Sequence, residues 1–282
     1  MSLFSRRPTV PVLRFTGAIG MAAPLRPGLS IATAAAAIEK AFSLSKLPSV
    51  AVAINSPGGS PVQSHLIFKR IRQLAREKNK RVYVFCEDVA ASGGYFLALA
   101  GDEIYADPSS IVGSIGVISA SFGLEKAIAR LGIDRRVYTA GEHKGSLDPF
   151  LPENPEEVER LKAIQRDVHD VFIGIVKERR GAKLKAPDAE LFTGAFWSGP
   201  KALELGLIDG IADLRSRMRE LHGDTVRLRV VPFDGGGWLA RRLRRLPGLE
   251  SITKPSLAPA LTLGDDLISA VEVRALWSRF GL

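Results

Sequence analysis

The sequence predicts an α/β layered fold. Three observations carry that reading: short β-branched apolar runs such as Val50 to Ile54, amphipathic helical patterns between them, and turns rich in Gly, Pro and Ser at the junctions. With 282 residues and 46% hydrophobic side chains, the chain has the means to bury a substantial core.

Val10 to Phe15 reads as a strand, and Ile31 to Phe42 as an Ala-rich helix capped by Ser30. Val50 to Ile54 has the continuous apolar character of a strand buried on both faces. The turn Asn55-Ser56-Pro57-Gly58-Gly59-Ser60 follows it, and Pro61 opens a basic amphipathic helix that runs to about Lys78. Arg81 to Cys86 repeats the buried-strand pattern, Ser92 to Ala100 forms a short helix, and Glu103 to Ala106 resumes extended structure. Ile111 to Ile118 mixes strand formers with glycines, which predicts a bent strand or a backbone closely approached by a ligand.

Farther on, Leu124 to Leu131 reads as a short helix and Arg136 to Thr139 as a strand, and Asn154 starts a long helix reaching Gly181. Ser198 to Leu205 forms a helix that Gly206 stops with a left-handed cap. Past Gly223 the character changes. Val226 to Val231 is a strand, three glycines follow from Gly235 to Gly237, and then come Arg241, Arg242, Arg244 and Arg245. Leu239, Leu243 and Leu246 recur there at helical spacing behind Trp238, the pattern of a surface-binding amphipathic helix. Ser251 to Leu263 reads as a loop, and Asp265 to Phe280 as a last amphipathic helix. The expected organisation is a leader over 1–8, one domain over 9–222 and a basic C-terminal extension over 223–282.

Composition narrows the function classes. Lys plus Arg number 39 against 30 Asp plus Glu, and the net charge of +9 favours an anionic contact, but no nucleic-acid-binding motif accompanies it. Cys86 is the single cysteine, so an intramolecular disulfide and a thiolate metal cage are both excluded; no metal or cofactor is expected. No apolar run approaches the ~20 residues that span a bilayer. Pro8 and Pro11 follow Arg6 and Arg7 where a signal peptide needs a long apolar core, so secretion by that route is not expected. The expected location is the cytoplasm, with the arginine cluster as a candidate peripheral contact to the anionic inner face of the cytoplasmic membrane.

The chemistry centres on Ser92, in Ala90-Ala91-Ser92-Gly93-Gly94-Tyr95. It follows a buried strand and starts a helix, where free backbone N–H groups stabilise negative charge. The N–H of Gly93 is one candidate donor to an oxyanion, and the turn at Gly58 and Gly59 supplies a second if parallel strands bring the two turns together. A bland reading competes at even weight: two tight turns and an N-cap serine. Position 90 is alanine, so the Gly-x-Ser-x-Gly elbow of the α/β-hydrolases is broken. Among possible bases, His65 and His169 fall inside amphipathic helices, His222 precedes the extension, and His143 adjoins Lys144. A desolvated lysine can act as a neutral base, which makes a Ser92–Lys144 dyad physically available. By itself, a lysine in a glycine-containing loop is more often solvated.

The turn Asn55 to Ser60, the run Ala90 to Tyr95, the stretch Ile104 to Val117 and the block Phe196 to Asp209 together resemble the S49 serine peptidases, the family of signal peptide peptidase A and the SohB proteins. The resemblance spans most of residues 9 to 215. It implies a Clp protease/crotonase-like fold and a serine endopeptidase with Ser92 as nucleophile, Lys144 as general base and an oxyanion hole from Gly58, Gly59 and Gly93. It further implies that Gly113, Ser114, Ile115, Gly116 and Val117 line a groove that takes an extended, apolar peptide, such as a signal-peptide remnant, by strand-like pairing. A homo-oligomeric ring whose protomers complete one another's sites is the implied assembly. Two other classes stay open on the residues alone: a crotonase-like acyl-CoA enzyme, in which backbone N–H groups hold a thioester enolate, and a peptide-binding adaptor without catalysis.

Overall fold

The computed structural model describes residues 7–21, 28–233 and 263–282. Its strands are β1 (Thr9–Thr16), β2 (Ser49–Ser56), β3 (Arg81–Ala91), β4 (Glu103–Ala106), β5 (Ile111–Gly113), β6 (Phe196–Ser198), β7 (Gly210–Ile211) and β8 (Arg227–Val230). The helices are α1 (Ile31–Leu44), α2 (Pro61–Glu77), α3 (Gly93–Ala98), α4 (Glu125–Arg130), α5 (Pro155–Arg180), α6 (Asp188–Leu191), α7 (Gly199–Glu204), α8 (Leu214–His222) and α9 (Leu263–Ser278). Ser30 caps α1 in a capping box with Thr33, and Asn154 caps α5 by accepting from the Glu156 N–H.

One mixed sheet holds the strands in the order β6-β5-β3-β2-β1-β8, with β4 and β7 beside the first half of β3. Every pairing is parallel except β5 with β6. Parallel strands need crossovers on the faces, and these cover both sides. On one face, Leu13, Phe15, Val52 and Ile54 join Ile38 of α1, Ile67 and Ile71 of α2, Leu97 of α3 and Val176 of α5. On the other, Val10, Val12, Ala51, Tyr83, Phe85 and Tyr105 meet Met218 of α8. A third cluster seats Phe280, with Trp277 beside it, on Val89 and Ala91 at the end of β3.

Several sequence expectations shift. β3 continues to Ala91, beyond the predicted end at Cys86, because it pairs first with β4 and then with β5. The bent strand over 111–118 is extended only at Ile111–Gly113; Gly113 and Ser114 then take φ +118° and +53° and turn the chain. Arg136 to Thr139 is not a strand: Val137 and Tyr138 are exposed, and among the described residues no neighbouring backbone pairs with them. β8 pairs with β1 from Thr9↔Arg227 to Val12↔Val230, so the boundary drawn at 222/223 falls inside the sheet. Trp238 and the arginines at 241, 242, 244 and 245 lie outside the described residues.

Candidate active site

Two strand-to-helix turns meet at the C-terminal ends of β2 and β3. The strands pair in parallel, from Ser49↔Arg81 to Ile54↔Cys86 and then Ser56↔Ala90 across an irregularity, so the turns that follow them emerge side by side. The approach is close: a Cβ on Gly58 would stand 2.8 Å from Ser92 Cβ and 2.9 Å from the Gly93 nitrogen. Gly58 also adopts φ +108° and Gly59 φ +138°, conformations that side chains resist, so glycine is required there on two grounds.

Ser92 is the strained residue of the site. It holds φ +52° and ψ −121°, its N–H donates to the Gly113 carbonyl at 2.8 Å, and its hydroxyl makes no capping bond to the helix it begins. A non-glycine residue in such a region persists only when its surroundings over-determine it. Here the Gly113 bond, the buried Ala91 before it and the buried α3 after it do so. Among the described residues, the N–H groups of Gly59 and Gly93 have no backbone acceptor, whereas the Gly58 N–H is held at 3.3 Å by the Ser56 hydroxyl. Two unclaimed donors beside an uncapped serine hydroxyl are the parts needed to stabilise a tetrahedral oxyanion.

Ser92 opens onto a pocket of about 210 Å³. Val62, His65 and Leu66 of α2, Phe96 of α3 and Phe172 of α5 form its walls, and Gly116 and Val117 close one side. Of the five residues expected to line a peptide groove, these last two reach the pocket. Gly113, Ser114 and Ile115 are buried. The edges of β5 are already taken by β3 and β6, Ser114 N–H donates to the Ala195 carbonyl at 2.6 Å, and the Ile115 carbonyl faces the His169 imidazole at 3.0 Å. Gly113, Ser114 and Ile115 are thus engaged within the protein, and Gly116 and Val117 are the residues of this segment that line the pocket.

Lys144 stands elsewhere. It sits in a turn within the irregular segment 131–154, exposed, and among the described residues its ammonium makes no ion pair or hydrogen bond. His143 is exposed beside Glu142. His222 is held at 3.0 Å from the Ser49 hydroxyl, away from the pocket. The residue that the sequence reading set aside and the structure brings forward is His65, on the wall of the pocket that Ser92 opens onto; helical periodicity gave it an amphipathic position without revealing what its face would meet.

Residues 74–225, more than half of the chain, match the model of Peptidase family S49. The chain belongs to peptidase family S49. S49 is a family of serine peptidases, and the layered sheet described above is its ClpP/crotonase-like fold. Among similar proteins, one from Brucella abortus called Na(+)/H(+) antiporter NhaA is 53% identical over 274 residues, covering 97% of this chain and 37% of that protein. The chloroplastic serine protease SPPA of Arabidopsis thaliana is 31% identical over 219 residues, 76% of this chain and 32% of that protein. A putative signal peptide peptidase SppA of Enterococcus faecium is 27% identical over 212 residues, 72% of this chain and 61% of that protein. The chain thus spans about a third of the length of the first two relatives. Among the described residues, no helix is long and apolar enough to cross a membrane.

Proposed function

We propose that this S49 chain is a serine endopeptidase in which Ser92 attacks the peptide carbonyl, Lys144 removes the serine proton, and the Gly58/Gly59 turn and Gly93 hold the oxyanion. The observation that carries the reading is Ser92 itself: strained at φ +52°, uncapped, and flanked at the mouth of an apolar pocket by the Gly59 and Gly93 N–H groups, which have no backbone acceptor among the described residues. The substrates are extended apolar peptides, signal-peptide remnants among them, whose side chain enters the pocket while their backbone runs along Gly116 and Val117.

Lys144 and Ser92 belong to separate parts of the chain, and a lysine serves as base only when desolvated. Ring assembly supplies that desolvation on our reading. Phe122, Leu131, Ile133 and Tyr138 are exposed along the same excursion as Lys144, apolar surface of the kind that subunit contacts cover. A cytoplasmic location accords with the lone, buried Cys86, and a peripheral membrane contact through Arg241, Arg242, Arg244 and Arg245 remains part of the proposal. The antiport in the name of the Brucella relative is not proposed for this chain.

Labelling with a serine-directed fluorophosphonate, followed by peptide mapping, tests the reading. Modification of Ser92, lost in Ser92→Ala, is the expected result; labelling elsewhere, or none in the assembled protein, overturns it.

A further inference from the structure

Away from the Ser92 hydroxyl and the Gly59 and Gly93 N–H groups, the side-chain walls of the pocket are apolar except at one point. Val62 and Leu66 of α2, Phe96 of α3, Val171 and Phe172 of α5 and Val117 bring only hydrocarbon and aromatic surface to it, and His65 is its one ionisable side chain. The imidazole is half-buried, its ring centre 5.6 Å from that of Phe96 and 6.4 Å from that of Phe68, and among the described residues neither ring nitrogen has a hydrogen-bond partner. An unpartnered imidazole in such a wall presents two different surfaces. Neutral, it is a polarisable ring that packs like its aromatic neighbours; protonated, it is a cation with no anion near it.

We propose that His65 is the specificity-determining residue of this pocket: uncharged, it completes a wall that accepts an apolar substrate side chain, and charged, it rejects that side chain and accepts a carboxylate instead. The inference rests on the peptidase reading for the identity of the ligand, a peptide, and adds to it which side chain the pocket takes and under what condition.

The surroundings set the direction. Burial disfavours the imidazolium, and Lys69, one turn along the same helix, adds like-charge repulsion, so the His65 pKa is lowered and the neutral form prevails at neutral pH. Among the described residues no other element opposes this. α3 contributes Phe96, and its ionisable Tyr95 is fully buried with its hydroxyl on the Leu207 carbonyl. On α5 the residues that reach the pocket are Val168, Val171 and Phe172; Asp167 and Asp170 are not part of its wall, and His169 is engaged by the Ile115 carbonyl. None of the described residues that line the pocket is an anion, so a substrate carboxylate would face His65 without a competitor among them, and its arrival raises the pKa of the imidazole and stabilises the charged form.

Binding separates this from catalysis. Ser92→Ala protein, in its native assembly, is titrated with two peptides that differ at one position, Leu against Glu, between pH 7 and pH 5. Apolar-peptide affinity is expected to fall by up to about tenfold per pH unit below the His65 pKa, while the Glu peptide gains relative to it. In Ser92→Ala/His65→Leu the affinity for the Leu peptide, which has no titrating side chain, should no longer change with pH, and whatever shift in preference remains reflects the titration of the Glu peptide alone. An unchanged preference across the range in the His65-containing protein, or an identical pH response in the His65→Leu variant, overturns the proposal. Far-UV circular dichroism over the same range identifies a variant that has unfolded; His65→Gln, which keeps a polar side chain without a titrating ring, then replaces His65→Leu and must also lose the response. Failure of the peptidase reading would look different: absence of fluorophosphonate labelling at Ser92 in the parent protein.

Discussion

At Ser92 the backbone is held where a side chain is costly, by about 1–3 kcal/mol for so sparsely populated a conformation. Activity and stability are therefore expected to part company at this residue. Ser92→Ala removes the proposed nucleophile and should abolish peptide hydrolysis while leaving thermal unfolding near that of the parent. Ser92→Gly also removes it but relieves the strain, and its midpoint should rise, on the order of 1 kcal/mol by calorimetry. A fall in stability for the glycine variant would mean that the φ of Ser92 carries no strain. Across the turn, Gly58→Ala places a methyl group 2.8 Å from Ser92 Cβ and forces an unfavourable φ of +108°. Peptidase activity is expected to drop by about 100-fold or more, the scale of a lost oxyanion donor, with the protein still folded. Near-parental kcat would disconnect the turn from the chemistry.

Among the elements, the end of α5 is tied to the sheet through two carboxylates, Asp102 with Arg179 and the Val82 N–H, and Asp209. Asp209 accepts from Arg180 and Lys183, each at 2.7 Å, and from the Ile104 N–H at 2.8 Å, while its own N–H donates to the Ile104 carbonyl. Arg180 is buried; its Nη1 bonds Asp209, its Nε the Gly206 carbonyl, and its Nη2 has no hydrogen-bond partner among the described residues. Burial works to raise the Asp209 pKa, but the hydrogen bonds from Arg180 and Lys183 and the Arg180 charge outweigh it, and the net direction is down. A carboxyl with a depressed folded-state pKa contributes stability that is present above its unfolded value and lost as pH falls through the folded one. Asp209→Asn strands the Arg180 charge and should cost roughly 3 kcal/mol at neutral pH, with part of the acid-induced loss of stability disappearing in the variant. Urea unfolding at pH 7 and pH 3.5 measures both. An unaltered midpoint at pH 7 would show that solvent already satisfies Arg180.

On the scale of the whole molecule, Ser92 lies in the sheet-bearing body and Lys144 on an exposed excursion, and on our proposal assembly completes the dyad. Lys144→Ala should be as inactive as Ser92→Ala, His143→Ala should keep most activity, and mixing the two inactive variants under conditions that exchange subunits should restore turnover. Persistent inactivity of the mixture, despite subunit exchange seen by mass spectrometry, would reject a base supplied by a neighbour. Turnover of an apolar peptide should climb toward alkaline pH, because the amine must be neutral to accept the serine proton, and the limb should survive in every single histidine variant. Loss of that limb in one of them would transfer the role of base to that histidine.

Local chemistry alone determined most of the framework. The β-branched runs, the caps at Ser30 and Asn154 and the glycine turns depend on neighbours a few residues away, so β1, β2, α1, α2 and α5 were legible from residue order, whereas the close approach of the Ser92 and Gly58 turns depended on the parallel pairing of β2 with β3. Tertiary structure decided what no local window contains. Arg136 to Thr139 has the composition of a strand but meets no partner strand, and β8, which reads as the start of an extension, finds one in β1 about 220 residues earlier in the chain. The same holds for His65. Its helix and its amphipathic position follow from periodicity, but its place on the wall beside Ser92 arises only when α2, α3 and α5 pack on one face of the sheet, because a side chain acquires its chemistry from neighbours that are distant in sequence.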